Sequence, residues 1–453
     1  RTKRLDPKIA SSGPGQIASH GWLRKQFFEM SNTIDLPNED SIRQAAPARL
    51  ASIDIYRGMV MFLMLAEMLR LEELHKIVTD GGWLSKVFGW ISFHTSHVEW
   101  HGCSLHDMIQ PSFTFLVGAA MVFSLASRKA KGQSWGGMFL HAMLRSLTLV
   151  FLGIFLRSLG KPITNFTFDD TLTQIGLGYW ILFLLSGLSM RGLIISLSII
   201  LVGYWIAFVA YPLPGPDFSY ESVGVASTWS EHDSGLAAHY NKNSNLAWAA
   251  DRWWMNLFPR ESPFLFSAGG YATLSFIPTL GTMLLGLVAG RALQQNHAAG
   301  RKQILLWSAA VICMLVAVAV DAMGICPIVK RIWTPTWTLW SGGICFAWLA
   351  SLHLICDMAG WKWWGFPFLV IGSNSIVAYV ISWTLVEPIH QALERHFGFV
   401  INAITRVLEN LLSQFASLND HAIVREFTLG AITMCVVWLM LWWLYNKKVF
   451  VKI

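Results

Sequence analysis

The segment HTSHVEWHGCSLHDMIQPSF, residues 94–113, carries four histidines, His94, His97, His101 and His106, together with Glu99 and Asp107. Imidazole titrates nearest neutrality of all side chains, so it serves as metal ligand, proton carrier or general base. His97 and His101 are four apart, a spacing that shares one helical face and suits zinc. The segment is not HExxH, no third ligand is evident, and HGCS after His101 reads as a turn, so no metal is expected. A proton relay strings His and carboxylates through the spans, whereas these histidines crowd at one end of an apolar segment. General acid–base chemistry, with Asp107 orienting a ring, is the third reading. Spacing alone does not choose which histidine would do it.

The elements that must hold these groups are membrane helices. Of 453 residues, 54% are hydrophobic and 13% charged, against about 25% charged in a soluble domain. The 23 Trp fall mainly near the ends of apolar runs, as interfacial belts require. The formal charge of +7 therefore calls for no nucleic acid; excess Lys and Arg set topology and meet anionic membrane lipids. Cys103 and Cys326 fall in loops expected on the same side, where a disulfide between them is one arrangement.

A spanning helix needs about 20 mostly apolar residues. Candidates are 51–69, 107–127, 138–157, 172–190, 192–211, 271–293, 303–321, 335–356, 364–385 and 426–446. The expected fold is all-α, a polytopic bundle of about ten transmembrane helices. Residues 1–49 read as a polar cytoplasmic segment and 50–453 as one transmembrane domain with outer loops 70–106, 212–270 and 386–425. Part of the last has helical periodicity and reads as interfacial or re-entrant. Arg128, Lys129, Lys131, Arg191, Arg291, Arg301, Lys302, Lys362 and the C-terminal lysines alternate correctly if both termini are cytoplasmic. Arg157, Lys161, Lys330 and Arg331 fall on the other side as exceptions.

Charges inside spans cost roughly 2.5–3.5 kcal/mol at the centre, so those retained form a shortlist. Asp54, Arg57 and Glu67 lie in the first span, and Asp107 opens the second. His141 with Arg145, and His353 with Asp357, are pairs four apart. Asp54 and Arg57 read equally as an ion pair, and Asp107 equally as a helix cap.

The run RLASIDIYRGMVMFLML, with Arg49, Ser52, Asp54, Arg57 and Gly58, resembles the opening block of the heparan-α-glucosaminide N-acetyltransferase family and its bacterial homologues. The next block of that family is similar to His97, Trp100, Gly102, Asp107, Pro111, Phe113, Phe115 and Gly118, in order and spacing. Weaker likenesses follow in TLTQIGLGY with Gln174, KRIWTPTWTLWSGG and GSNSIVAYV with Asn374, so that the resemblance covers about 49–385. Two departures stand out. Met68 occupies the place of a family Asn, and the 70–93 loop is longer than the pattern.

The resemblance implies a multi-helix acyltransferase that moves acetyl from acetyl-CoA to the amine of a terminal glucosamine across the membrane from the CoA pool. It implies His97 as the catalytic histidine, a CoA site in the bundle, and a homodimer. On that basis Asp107 or Glu99 orients the ring, while Glu67, Glu99 and Trp100 face the acceptor. Arg57 and Arg145 meet the anionic part of CoA, because phosphate favours Arg forks. Gln174 and Asn374 bond the donor or the developing oxyanion. The expected place is a bacterial inner membrane. A small-sugar transporter, or a non-catalytic subunit of a larger membrane complex, are the alternatives.

Overall fold

The structure is a computed structural model that describes residues 50–451. The expected polar segment 1–49, with Arg49, lies outside the described residues. Within them the chain is helical, and its pairing in the β manner is confined to an isolated bridge, His101 to Val329. The helices are α1 Ala51–Leu65, α2 Trp83–Thr95, α3 Ile109–Ala130, α4 Trp135–Ser158, α5 Thr171–Leu185, α6 Met190–Ala210 and α7 Leu246–Trp254. They continue as α8 Phe276–Gln294, α9 Ala299–Ala322, α10 Pro335–Leu352, α11 Phe366–Ser373, α12 Ser375–Thr384, α13 Val386–Leu412 and α14 His421–Asn446.

Seven of these, α3, α4, α6, α8, α9, α10 and α14 with their adjoining turns, are long and apolar enough to cross a membrane. The number becomes eight if α11 and α12, bent by 66° at Asn374, form one broken span. The expected ten counted two more, 51–69 and 172–190, whose helices are shorter than that measure. Segment 51–69 is α-helical only to Leu65 and then tightens into a 3-10 turn, Ala66–Leu69. Segment 172–190 stops at Leu185, because Ser189 already caps α6 by accepting from Gly192 N–H. Each 15-residue helix is about 22 Å long, short of a 30 Å hydrocarbon core. The helical periodicity expected within 386–425 is one helix, the 27-residue α13.

Glycine sets how closely the central helices approach. A Cβ on Gly118 of α3 would sit 1.9 Å from the Met283 carbonyl oxygen of α8, and one on Gly286 of α8 would sit 1.8 Å from that of Phe115. Gly58 of α1 abuts Phe368 of α11 in the same way, at 1.8 Å. Small residues substitute for hydrophobic drive where the surroundings are as apolar as the helices. The amino end of α1 is covered from afar: Ala51 and Ser52 N–H donate to the Asp357 carboxylate at 3.0 and 3.2 Å. That satisfies orphan donors at the positive end of the helix.

Segment 212–270 is folded rather than slack. Tyr240 and Ala247 from it join Trp100, Tyr204, Phe208, Ala272, Cys326, Val329 and Ile332 in one buried cluster. This cluster clamps the histidine segment against the turn before α10. Cys103 and Cys326 are both free thiols, so the disulfide arrangement is not adopted. Helix α2 leaves Trp83, Trp90 and Phe93 exposed, which suits a helix lying in a membrane interface.

Candidate functional site

The two halves of the histidine segment fold back on one another through Asp107. His97 Nδ1 lies 2.8 Å from Asp107 Oδ1. The other carboxylate oxygen accepts from Ser104 N–H at 3.0 Å and Val98 N–H at 3.3 Å. Asp107 is fully buried, and these partners show that it organises the loop rather than capping its own helix. The intervening turn passes through Gly102, whose φ of +96° is a conformation L side chains rarely adopt.

The third member comes from far along the chain. Lys330 Nζ lies 3.0 Å from Asp107 Oδ1 and 3.0 Å from His97 Nδ1. One ring nitrogen cannot both donate to the carboxylate and accept from the ammonium. The tautomer protonated at Nδ1 keeps the shorter contact, to Asp107, and lets Lys330 donate to the same carboxylate. It leaves the Nε2 lone pair of His97 free as a base. Burial, helped by Lys330 and His106, holds the His97 pKa below its ordinary 6.5, against the opposing pull of Asp107. The ring is therefore neutral at neutral pH, the state a general base needs.

His97 lines a cavity of about 510 Å³, shared with His106, Glu67, Lys330, Arg157, Tyr271 and Trp383 among others. The His97 side chain is 40% exposed while Asp107 behind it is 1% exposed. The base thus meets the cavity, and its orienting carboxylate does not. His106 packs against His97 with ring centroids 4.4 Å apart, and its Nε2 lies 3.2 Å from Glu67 Oε1. Arg157 stands 3.9 Å from Asp169 and 5.2 Å over the Trp383 ring. Arg331 donates to Val98 and Gly269 carbonyls at 3.0 and 2.8 Å, pinning the histidine loop to the segment before Tyr271.

Of the residues expected at a site, the structure brings His97, Asp107 and Glu67 together. Glu99 is exposed and outside the cavity lining. Trp100 is buried in the core cluster, its ring facing Trp229, so it is no wall for a sugar. Gln174 lies behind the cavity, donating to Phe168 and Thr273 carbonyls at 2.6 and 3.2 Å; it fixes the strands of chain that carry Asp170 and Tyr271. Asn374 bonds Val449 and Val451 of the C-terminal segment at 2.9 and 3.0 Å. Arg57 is 3.5 Å from Asp54 and about 15 Å along the chain from Glu67 at helical rise. Arg145 lies over the Tyr179 ring, about 18 Å along α4 from Arg157. Neither reaches the cavity. His353 and Asp357 part as well, the first to Gln303 and the second to α1. His101 turns away from His97 to Asp233, at 3.3 Å, so the pair does not converge. Among the described residues no His, Cys, Asp and Glu group of three or more is arranged to hold a metal.

Lys330 and Arg157 were not singled out as site residues in the sequence. The signal was there in another form: both are among the four basic residues that the expected topology leaves as exceptions.

The chain matches no family model. It is 23% identical to heparan-alpha-glucosaminide N-acetyltransferase of Homo sapiens, over 90% of this chain and 60% of that protein. The corresponding protein of Mus musculus is also 23% identical, over 91% of this chain and 61% of the relative. The chain thus spans about 60% of the length of these curated relatives. The relation is a distant homology at the level of the family.

Proposed function

We propose that this integral membrane protein is an acyltransferase that moves acetyl from acetyl-CoA to the amine of an amino sugar or glycan. The observation that carries the reading is the His97–Asp107–Lys330 constellation at the wall of a cavity of about 510 Å³. The distant relation to an N-acetyltransferase supports the choice of reaction.

In this reading His97 Nε2 takes a proton from the acceptor as its nitrogen attacks the thioester carbonyl. Asp107 holds the ring in the competent tautomer and offsets the imidazolium charge as it forms. Lys330 keeps Asp107 ionised and the resting imidazole neutral. The thiolate that leaves recovers the proton from His97. Arg157, whose ion pair with Asp169 is long at 3.9 Å, supplies a cation for an anionic group of donor or acceptor. This is the part first assigned to Arg57 and Arg145. Arg128, Lys129, Lys131, Arg291, Arg301 and Lys302 gather at the α3–α4 and α8–α9 turns and the helix ends that flank them. The cavity is lined from the opposite ends of α3 and α4 and by Tyr271, which precedes α8. We therefore place the cavity on the non-cytoplasmic side of a bacterial inner membrane, with both termini cytoplasmic; this orientation has the two short helices α1 and α5 cross as well, a mismatch that local thinning of the bilayer accommodates.

The test is product formation by the purified full chain. Acetyl-CoA and a panel of amino sugars are supplied, and N-acetylated product and free CoA are quantified together. Equal amounts of both support the reading. No acetyl-CoA turnover with any acceptor overturns it.

A further inference from the structure

A hydroxyl acceptor must lose one proton to be acetylated, but an amine enters at neutral pH as an ammonium and must lose two. One leaves before attack, to expose the nitrogen lone pair. The other leaves as the C–N bond forms. A site with a single base serves the hydroxyl and is one base short for the ammonium.

The cavity holds two imidazoles, each with its own carboxylate. His97 Nδ1 faces Asp107 at 2.8 Å, which leaves Nε2 open. His106 Nε2 faces Glu67 at 3.2 Å, and a carboxylate only accepts, so the neutral ring keeps its lone pair on Nδ1. The rings are 4.4 Å apart at an interplanar angle of 57°, close enough for one nitrogen atom to lie against both. The carboxylates differ in setting. Asp107 is 1% exposed behind its ring, whereas Glu67 is 61% exposed and lines the cavity itself. A buried carboxylate orients a base; one facing a cavity meets a cation there. The other charged groups around the two rings are Lys330, bonded to Asp107, and Arg157, Asp169 and Asp170, which line the same cavity; the Asp170 carboxylate is taken up by Leu172 and Thr173.

We infer that the Glu67–His106 pair receives the acceptor's ammonium group and takes its first proton, making this a site for protonated amines rather than for alcohols. The inference rests on the acetyl-transfer reading above. Glu67 pairs with R–NH3+, and His106 Nδ1 accepts one proton. The neutral amine attacks the thioester carbon, and His97 Nε2 accepts the second proton as the C–N bond forms. The C–S bond breaks, and the thiolate takes that second proton from His97. Amide and CoA thiol result, and the first proton leaves from His106 to solvent. The sequence alone places Glu67 near the acceptor; the structure adds His106 beside it.

The experiment compares kcat/KM for glucosamine, with glucose as the alcohol counterpart, in parent, Glu67→Gln and His106→Gln. The pH is set at about 6 and about 9, on either side of the range near 8 where amino groups titrate. The parent is expected to acetylate glucosamine and not glucose. Both variants are expected to lose about 10–100-fold at the lower pH, within the range of a general base. They should return to within about threefold of the parent at the higher pH, where the free amine is already supplied. A loss equal at both pH values, no loss at either, or parent activity on glucose would overturn the inference. Glu67 is on an exposed side chain, so its variant serves if His106→Gln does not fold. A parent inactive on every acceptor would overturn the acetyl-transfer reading itself, a result separate from any difference among variants.

Discussion

At His97 the decisive contacts are with one carboxylate and one ammonium, and they pull its titration in opposite directions. Burial and Lys330 win, so its pKa lies below 6.5. The acid limb of kcat/KM is therefore expected below pH 6.5, with the rate falling as the pH drops through it. Lys330→Met removes a cation that disfavours the imidazolium and leaves Asp107 unneutralised beside the ring. Both changes favour protonation, so the limb is expected to move to higher pH; a pH–rate series on parent and variant checks the direction. A limb that stayed in place would remove Lys330 from the electrostatics of the base. The sequence carried half of this site. His97 and Asp107 are ten positions apart inside one recognisable block, whereas Lys330 is 233 positions from His97, and nothing local in the chain announces that meeting. Arg57 and Arg145 drew attention because a charge within a span is costly. The cations that do face the cavity sit at helix ends and in a loop, where a charge costs little and signals little.

At the scale of elements, two devices position the site. The first is close helix packing. Valine at Gly118 would drive side-chain atoms into the Met283 carbonyl, 1.9 Å from the first carbon added. Overpacking of this kind costs about 1–3 kcal/mol or more. Gly118→Val is expected to lower the detergent-phase Tm by several degrees, and an unchanged melt would mean that α3 and α8 do not pack this closely. The second device is the folded segment 212–270, held partly by Asp251. Its carboxylate accepts from Thr273 N–H at 2.9 Å, and burial raises its pKa to about 6. The folded value lies above the ordinary carboxylate value, so the fold binds a proton more readily than the unfolded chain does. Stability from this group is present below about pH 4 and is lost as the pH rises to about 6. Melting curves across that window should slope less in Asp251→Asn than in the parent. Apolar runs made the long helices legible. The breaks at Leu65, Leu185 and Asn374 were not, because hydropathy reads through a tightened turn or a bend when its residues are apolar.

For the whole molecule, the imperfect charge bias has a structural explanation. Of the four exceptions, Lys330 and Arg157 line the cavity and Arg331 ties the histidine loop to the segment before Tyr271. On the proposed orientation they are basic where topology disfavours it because the site holds them. The assigned orientation then has a direct consequence for labelling in intact bacterial cells. With the exposed Cys435 replaced by alanine, Glu99→Cys should react with an impermeant thiol reagent from outside. Lys362→Cys should react only after permeabilisation. The reverse pattern would put the cavity on the cytoplasmic side and with it the acceptor.

The measurement that bears most directly on the central claim is acceptor-dependent CoA release by the full chain and by His97→Ala. The account expects release from acetyl-CoA only when an amino sugar is present, falling about 10²–10⁴-fold in the variant, with the variant's melting temperature close to the parent's. Release that persists in His97→Ala at the parent's rate would contradict the assignment of His97 as the base.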